Sequence, residues 1–426
     1  MLLDQLELYK TTFGKPSAQR VSGLLKRLGS ARFKHPGELI RLHETTLFLR
    51  AFPQSPPVAR LCDEILLAFE DRLRGVDTGV FDDPKISGIA GTAVSTNFSY
   101  EFARSLVQRH GEAVSIDWES YERPERLGPV LARLLPMAQE LYAVEPHVDW
   151  RAWFEKSRRS LPWLLENVDP LTYELLEIPI RWKLSARSSR SGLRLERRDL
   201  FCRTGPFLKR AEVSLEAEFA APPIRARRLS STEAQLVEAA IIDASAARYR
   251  ELHGFQHPPR NVYHADLGRG VDLYFFGVAE KQQLPLRDYH CGMFFTNAVP
   301  TGYVEALSLK GHAQIGFNLY YTFRDGETAW VFARILKLIR EQVGVDSFSI
   351  DPYQLGDNND EAIESGAFWF YRKLGFDPAN EEIARLVARE EARIARDGAY
   401  RSSRAVLRKL AEVPLFYGGG FYATKL

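Results

Sequence analysis

Ser365–Phe376, SGAFWFYRKLGF, is the stretch on which the reading of this chain turns. Phe368, Trp369, Phe370 and Tyr371 form an aromatic block that a short helix buries, and Arg372 and Lys373 complement the negative end of its dipole. Gly375 stands where a left-handed residue closes a helix, and Phe376 opens whatever strand follows. The cap accounts for the glycine and the bases. Tyr371 has two readings: a core aromatic, or a phenol placed for proton transfer.

Reading backward from this helix gives a regular succession of elements. Val345–Tyr353 (VDSFSIDPY) alternates apolar and polar residues and reads as a strand. Glu327–Val343 places Trp330, Val331, Ile335, Leu338 and Ile339 at helical spacing, with Gly344 just past the end. Ala313–Phe323 (AQIGFNLYYTF) is a second strand, joined to that helix by Arg324-Asp325-Gly326. A strand, tight loop, helix, strand and helix in this order predict a parallel βαβ unit with a right-handed crossover.

This succession, together with SGAFWFYRKLGF, resembles the C-terminal part of GNAT-type N-acyltransferases. In that superfamily the helix Tyr often protonates the departing coenzyme A thiolate, and Tyr371 occupies the matching position. The strand-to-helix loop holds the pyrophosphate of an acyl-CoA, where a helix N-terminus offers unpaired N–H groups and the positive end of the dipole. The matching segment here is Arg324-Asp325-Gly326-Glu327-Thr328-Ala329. It keeps the Arg and the final Ala, but its Gly comes one position early and Glu327 stands where the first motif glycine belongs. Two carboxylates, Asp325 and Glu327, oppose an anion at that place. The alternative for the loop is a ligand-free helix start capped by Asp325, with Thr328 in the first turn.

The resemblance extends upstream to Pro223, covering somewhat over a third of the chain. Pro223–Leu229 reads as a strand, Ser230-Ser231-Thr232-Glu233 as a capping box, and a helix follows through Ala240, Ile241, Ala244 and Tyr249. Strands are predicted at Gly270–Ala279, Tyr289–Asn297 and Gly302–Leu309, with a hairpin turn at Pro300-Thr301-Gly302. Glu305, among Val304, Ala306 and Leu307, is a candidate general base toward an amine; solvent exposure on a polar strand face is its other reading. His290 and Cys291 are sequence neighbours that a strand sends to opposite faces, which excludes them as a nucleophile–base pair. His264 and Asp266 share a face by period two and read as a surface pair.

Before residue 176 the texture changes to amphipathic helical pattern at Val21–Leu28, Gly37–Phe52, Pro57–Leu73, Phe98–Arg109 and Leu127–Leu141. Gly88-Ile89-Ala90-Gly91-Thr92 interrupts it and reads as a turn, since no Lys-Ser or Lys-Thr follows to complete a phosphate loop. Arg181–Arg210 holds ten Lys or Arg against Glu196 and Asp199, a stripe that fits either an acidic partner or a solvated hairpin around Ser191-Gly192. The expected class is therefore α+β: a helical domain over 1–175, a basic connecting hairpin over 176–222, a GNAT-like mixed sheet flanked by helices over 223–400, and a tail over 401–426.

Composition narrows the function classes further. With 57 Lys and Arg against 55 Asp and Glu, the charge balance argues against nucleic acid as a partner. Three scattered cysteines give neither a disulfide framework nor a zinc cluster, no metal is expected, and a reducing cytoplasm fits. No stretch reads as a signal peptide or a membrane span. HExxH, GxSxG, CxxC and Walker patterns are missing from the sequence. The resemblance implies transfer of an acyl group from acetyl-CoA or another acyl-CoA, or from a carrier thioester, to a small-molecule or protein amine. Glu305 would take the amine proton and Tyr371 would protonate the thiolate. The competing readings are a non-catalytic binding module on the same fold, and a transferase that uses aminoacyl-tRNA.

Overall fold

The computed structural model describes residues 1–135, 151–152, 159–196, 199–256 and 261–418. The chain divides into two compact units. Unit 1 combines Met1–Glu196 with Gln235–Pro258, and unit 2 combines Arg197–Ala234 with Pro259–Leu426. This differs from the division at 175, 222 and 400, because the helix Ser231–Ala246 leaves unit 2 within its first turn and its remainder is counted with unit 1. The capping box that starts this helix is as read: Glu233 accepts from the Ser230 N–H at 2.9 Å, and Ser230 Oγ accepts from the Glu233 N–H at 3.4 Å.

Unit 1 buries one face of the helices Lys15–Ser30 and Pro56–Leu67 and, on all sides, the last two turns of Pro36–Ala51, with Val21, Leu25, Leu42, Leu49, Val58 and Cys62 wholly inside. Residues 136–141 of the helix expected over Leu127–Leu141 lie outside the described residues; Leu127–Leu134 is helical. Unit 1 also contains strands β1 (Ala93–Thr96), β2 (Val114–Ile116) and β3 (Ile180–Lys183), in the order β1-β3-β2. This corrects the expected exposed hairpin over 181–210. Ile180 and Trp182 point into the core at 0% exposure, and Trp182 stacks on His110 at 4.8 Å, so the central strand of a sheet stands where a solvated ribbon was expected. Gly88 is a turn with close packing: φ is +86°, and an added Cβ would meet the Ala247 carbonyl oxygen at 2.5 Å.

Unit 2 is built on a nine-stranded sheet. Its strands are β4 (Ala226–Arg228), β5 (Tyr263–Gly268), β6 (Val271–Gly277), β7 (Asp288–Thr296), β8 (Val299–Leu309), β9 (His312–Leu319), β10 (Ser347–Ile350), β11 (Asp377–Pro378) and β12 (Leu415–Tyr417). The order is β11-β12-β10-β9-β8-β7-β6-β5-β4, with β9 and β10 parallel and every other neighbouring pair antiparallel. The helix Thr328–Val343 provides the crossover between the parallel pair and ends at Gly344 with φ +76°, as its sequence pattern requires. The segment after 400 is no tail: the helix Arg404–Ala411 leads into β12, which inserts between β10 and β11. Residues 419–426 lie outside the described residues.

The β7–β8 turn also differs from expectation. Asn297 and Ala298 make it, with φ of +46° and +66°, and Pro300 and Thr301 already belong to β8. Asn tolerates the left-handed conformation, and here its side chain also pairs with the backbone of Phe201 through bonds of 2.9 and 3.0 Å, so the turn is fixed from outside the hairpin. Gly302 lies where β8 is overlaid: an added Cβ would meet the Asn318 carbonyl oxygen at 2.2 Å and the Phe294 ring at 2.3 Å. We expect Gly302→Ala to destabilise unit 2 by about 1–3 kcal/mol, read as a lower urea midpoint at unchanged slope; an unchanged midpoint would refute the packing argument.

Candidate functional site

Alternation along the strands separates two faces of the unit 2 sheet. Val304, Ala306, Ile315, Phe317, Phe348 and Ile350 join one core with Phe332 of the Thr328–Val343 helix and with Tyr371. Glu305, Gln314, Gly316, Ser347 and Ser349 therefore point to the other face. This arrangement does not bring together the two expected proton-transfer residues: Glu305 and Tyr371 lie on opposite sides of the sheet. Tyr371 is 3% exposed, with the rings of Phe332, Phe370 and Phe376 at 5.4, 5.1 and 6.0 Å, and burial raises its phenol pKa. Its surroundings match the core-aromatic reading. Gly375 has φ +97°, and the Phe376 N–H reaches back to the Tyr371 carbonyl at 3.3 Å, closing the helix Ala367–Arg372 as expected.

The strand-to-helix loop is occupied by its own side chains. Glu327 is 2% exposed at the start of the Thr328–Val343 helix. Its carboxylate accepts from Arg269 at 2.5 and 2.8 Å and from the Leu208 N–H at 2.9 Å, and it lies 2.8 Å from Arg203. Burial alone would raise the Glu327 pKa, but these hydrogen bonds and the two guanidinium charges outweigh it and hold the carboxyl below its ordinary range. Arg203, itself 2% exposed, stacks on Phe207 at 4.8 Å. Arg324 is committed elsewhere, pairing with Glu361 at 2.5 Å and lying over the Tyr321 ring at 4.3 Å. The Gly326 N–H closes a turn onto the Phe323 carbonyl at 3.0 Å. Asp325 is exposed, and Glu327 holds the cap position assigned to Asp325 by sequence. Thr328 Oγ1 is buried without a hydrogen-bond partner, and Ala329 is 5% exposed.

A second set of polar groups lies at the C-terminal ends of the parallel pair, on the face opposite Tyr371. Pairing of β9 with β10 stops at Ile315 and Ile350, while β9 continues through Leu319. Beside this opening the Tyr289 hydroxyl donates to Glu305, Gln314 donates to Asp351 at 3.0 Å, and an added Cβ on Gly316 would lie 3.6 Å from Glu305 and 4.0 Å from the Gln354 amide. Deeper in the sheet, His312 bridges Ser347 and Ser349 at 3.0 and 2.8 Å. Glu305 is half-buried, between the two readings its sequence allowed. Carboxyl ends of parallel strands are where ligands enter α/β sheets. Asp351 and Gln354 follow directly on β10, a position legible in the sequence, while Gln314 and Tyr289 required the cross-strand register.

Two features of unit 1 were invisible in sequence. Ser191 Oγ lies 2.9 Å from His43 Nε2, and His43 Nδ1 lies 2.8 Å from Glu44 Oε1, the order of a Ser–His–acid relay. Ser191 and His43 are both 0% exposed, and the Ala90 N–H donates to the same Ser oxygen at 3.0 Å, so the relay is a closed structural joint. Around it, Arg190 pairs with Glu44 at 2.8 Å, and Arg50 donates to the carbonyls of Ser191, Arg190 and Leu193 at 2.6, 3.1 and 3.3 Å. The basic stripe is thereby neutralised within the chain at several positions: Arg190 by Glu44, Arg194 by Asp63 at 2.7 Å, and Arg203 by Glu327. His264 bonds Asp272 at 2.9 Å, and Asp266 instead accepts from the Gly268 N–H at 2.8 Å, because the β5–β6 register places Asp272 within reach of the ring.

Among the described residues no group of three His, Cys, Asp or Glu is arranged to hold a metal ion, and no helix is long and apolar enough to cross a membrane. Comparison of the chain with protein-family models, with curated proteins and with solved structures finds no significant match.

Proposed function

We propose that unit 2 is a GNAT-like module that has closed its coenzyme A pyrophosphate site and binds its ligand at the open end of β9 and β10 without acyl-CoA chemistry. One observation carries this reading: the Glu327 carboxylate fills the helix N-terminus that would receive the pyrophosphate, and two arginines and a backbone amide hold it there. The GNAT-like part of the reading is supported by the parallel pair β9–β10 and by the insertion of β12 between β10 and β11. A dianionic pyrophosphate would have to displace Glu327 and bury a like charge beside it, which burial penalises heavily.

Calorimetric titration with acetyl-CoA and longer acyl-CoAs tests this directly. The expected result is no saturable heat for the native protein or for Arg324→Ala. Saturable binding that Arg324→Ala weakens would overturn the closed site and restore acyl-CoA as donor.

A second reading is favoured by Glu305. A half-buried carboxylate at the end of the parallel pair, oriented by the Tyr289 hydroxyl, is suitably placed to take a proton from an ammonium group. On this reading unit 2 transfers an acyl group to an amine from a donor that bypasses the loop, a carrier thioester or an aminoacyl-tRNA. The buried Tyr371 would play no part. Glu305→Gln would then abolish transfer while Tyr371→Phe left it within about twofold. Equal loss in both variants would sink this version.

A further inference from the structure

Beside the C-terminal end of the helix Ala367–Arg372, three cations of unit 2 meet without a counterion. Arg210 donates to the Lys373 carbonyl at 3.1 Å, and the Lys373 N–H reaches back to the Trp369 carbonyl at 3.1 Å. The Trp369 indole in turn donates to Ser402 at 3.2 Å, which brings Arg401 to the same corner. Partial desolvation, and then the charges of Arg210 and Arg401, lower the pKa of the Lys373 ammonium. Among the described residues none of the three forms an ion pair, so Arg210, the last residue of the basic stripe, differs from Arg190, Arg194 and Arg203. The surrounding carboxylates are engaged: Asp377 and Glu391 by Arg372, both at 3.1 Å, Glu212 by the Lys209 N–H at 2.7 Å, and Glu390 by Arg393 at 2.9 Å and Ser402 at 2.6 Å. The helix end supplies at most about half a negative charge, too little to balance three cations.

Main-chain bonds hold both guanidinium groups in place. Arg210 uses Nη1 on the Lys373 carbonyl, and Arg401 uses Nη1 on the carbonyls of Gly398 and Tyr400 at 2.9 and 2.8 Å. Each therefore keeps Nε–H and Nη2–H, the edge that grips a carboxylate with two parallel hydrogen bonds. We propose that Arg210, Lys373 and Arg401 form a docking surface for an acidic peptide segment, whose successive Asp or Glu carboxylates pair with the three cations. Asp377, Glu391 and Glu212 at the rim favour a short peptide over a nucleic acid, because they would repel a continuous phosphate backbone. The surface is independent of the reading given to Glu327 and of any reaction at Glu305.

A fluorescein-labelled hexaglutamate peptide is the probe, and its anisotropy with the full-length protein is the readout, at about 50 mM salt so that screening stays weak. The peptide is expected to bind saturably. Combined Lys373→Gln and Arg401→Gln, both at exposed positions that the core does not use, is expected to weaken binding about fivefold. Arg228→Gln, an exposed cation on β4 at the other edge of the sheet, is expected to leave it within about 1.5-fold. Absence of a saturable anisotropy change would overturn the surface. So would equal weakening by Arg228→Gln, which would make the attraction a property of the whole protein. Tighter binding of a labelled oligothymidylate of the same length would overturn the assignment to a peptide and make this a nucleic-acid surface.

Discussion

Glu327→Ala is expected to destabilise unit 2 by about 3–5 kcal/mol, because it removes the anion between two arginines and leaves Arg203, 2% exposed, as an uncompensated buried charge. For a unit of this size the loss corresponds to a fall in melting temperature on the order of 10 °C. The same substitution should convert the closed loop into an anion site. Arg203 and Arg269 would then flank the N-terminus of a helix of 16 residues with no carboxylate between them. Pyrophosphate or sulfate is therefore expected to raise the melting temperature of Glu327→Ala by several degrees and to leave the native protein nearly unchanged. A loss of stability below about 1 kcal/mol would show that the buried ion cluster is less important than its geometry implies. Equal stabilisation of both proteins by pyrophosphate would refute the closure. Glu327→Gln separates the two effects, since it keeps the shape and part of the hydrogen bonding while removing the charge.

Unit 1 should lose stability in mild acid through His43. Burial, partly opposed by Glu44, depresses the pKa of this ring from 6.5 to about 4. A group whose folded-state pKa lies below its unfolded value favours folding when it is deprotonated. The stabilisation is therefore complete above pH 6.5 and disappears progressively as the pH falls toward 4. A shift of this size amounts to roughly 3 kcal/mol. Protonation would add a third positive charge beside Arg190 and Arg50, against Glu44 and the more distant Asp63, and would disturb the hydrogen bond that Ser191 gives to the ring. The measurement is the urea midpoint of unit 1 between pH 7.5 and 4, followed by the fluorescence of Trp182 in a protein whose other six tryptophans are replaced by Phe. The native protein should fall steeply across that window, and His43→Gln, less stable at pH 7.5, should fall less. Parallel pH curves for the two proteins would rule out His43 as the titrating group.

The two closed clusters explain where sequence reading stopped. Glu327 was recognised as the residue out of place in the loop, since a carboxylate at a phosphate position is a local anomaly visible in a six-residue window. Its counterions were not recognisable, because Arg203 and Arg269 come from segments that only the folded sheet brings to the helix end. The same holds for Ser191 and His43, 148 residues apart with no local motif around either. The basic stripe over 181–210 showed the opposite failure. Its charge was evident, but the partners Glu44, Asp63 and Glu327 of Arg190, Arg194 and Arg203 were remote in sequence, so part of a run that resembled a docking surface is paired inside the chain; Arg197 and Arg198 lie outside the described residues.

What the sequence determined by itself was everything set by local periodicity and capping: the Thr328–Val343 helix with its Gly344 terminator, the Ser230–Glu233 capping box, the left-handed Gly375, and the strand, helix, strand succession that demands one parallel pair. These depend on side-chain spacing and on backbone conformations available to a few residue types, and both are written into short windows. Tertiary structure decided which groups meet. It placed Glu305 and Tyr371 on opposite faces of the sheet, inserted β12 between β10 and β11, and filled the helix N-terminus with Glu327. Those outcomes depend on register and on the pairing of buried charges across long sequence separations, where the cost of an unpaired ion selects one arrangement that no local pattern encodes.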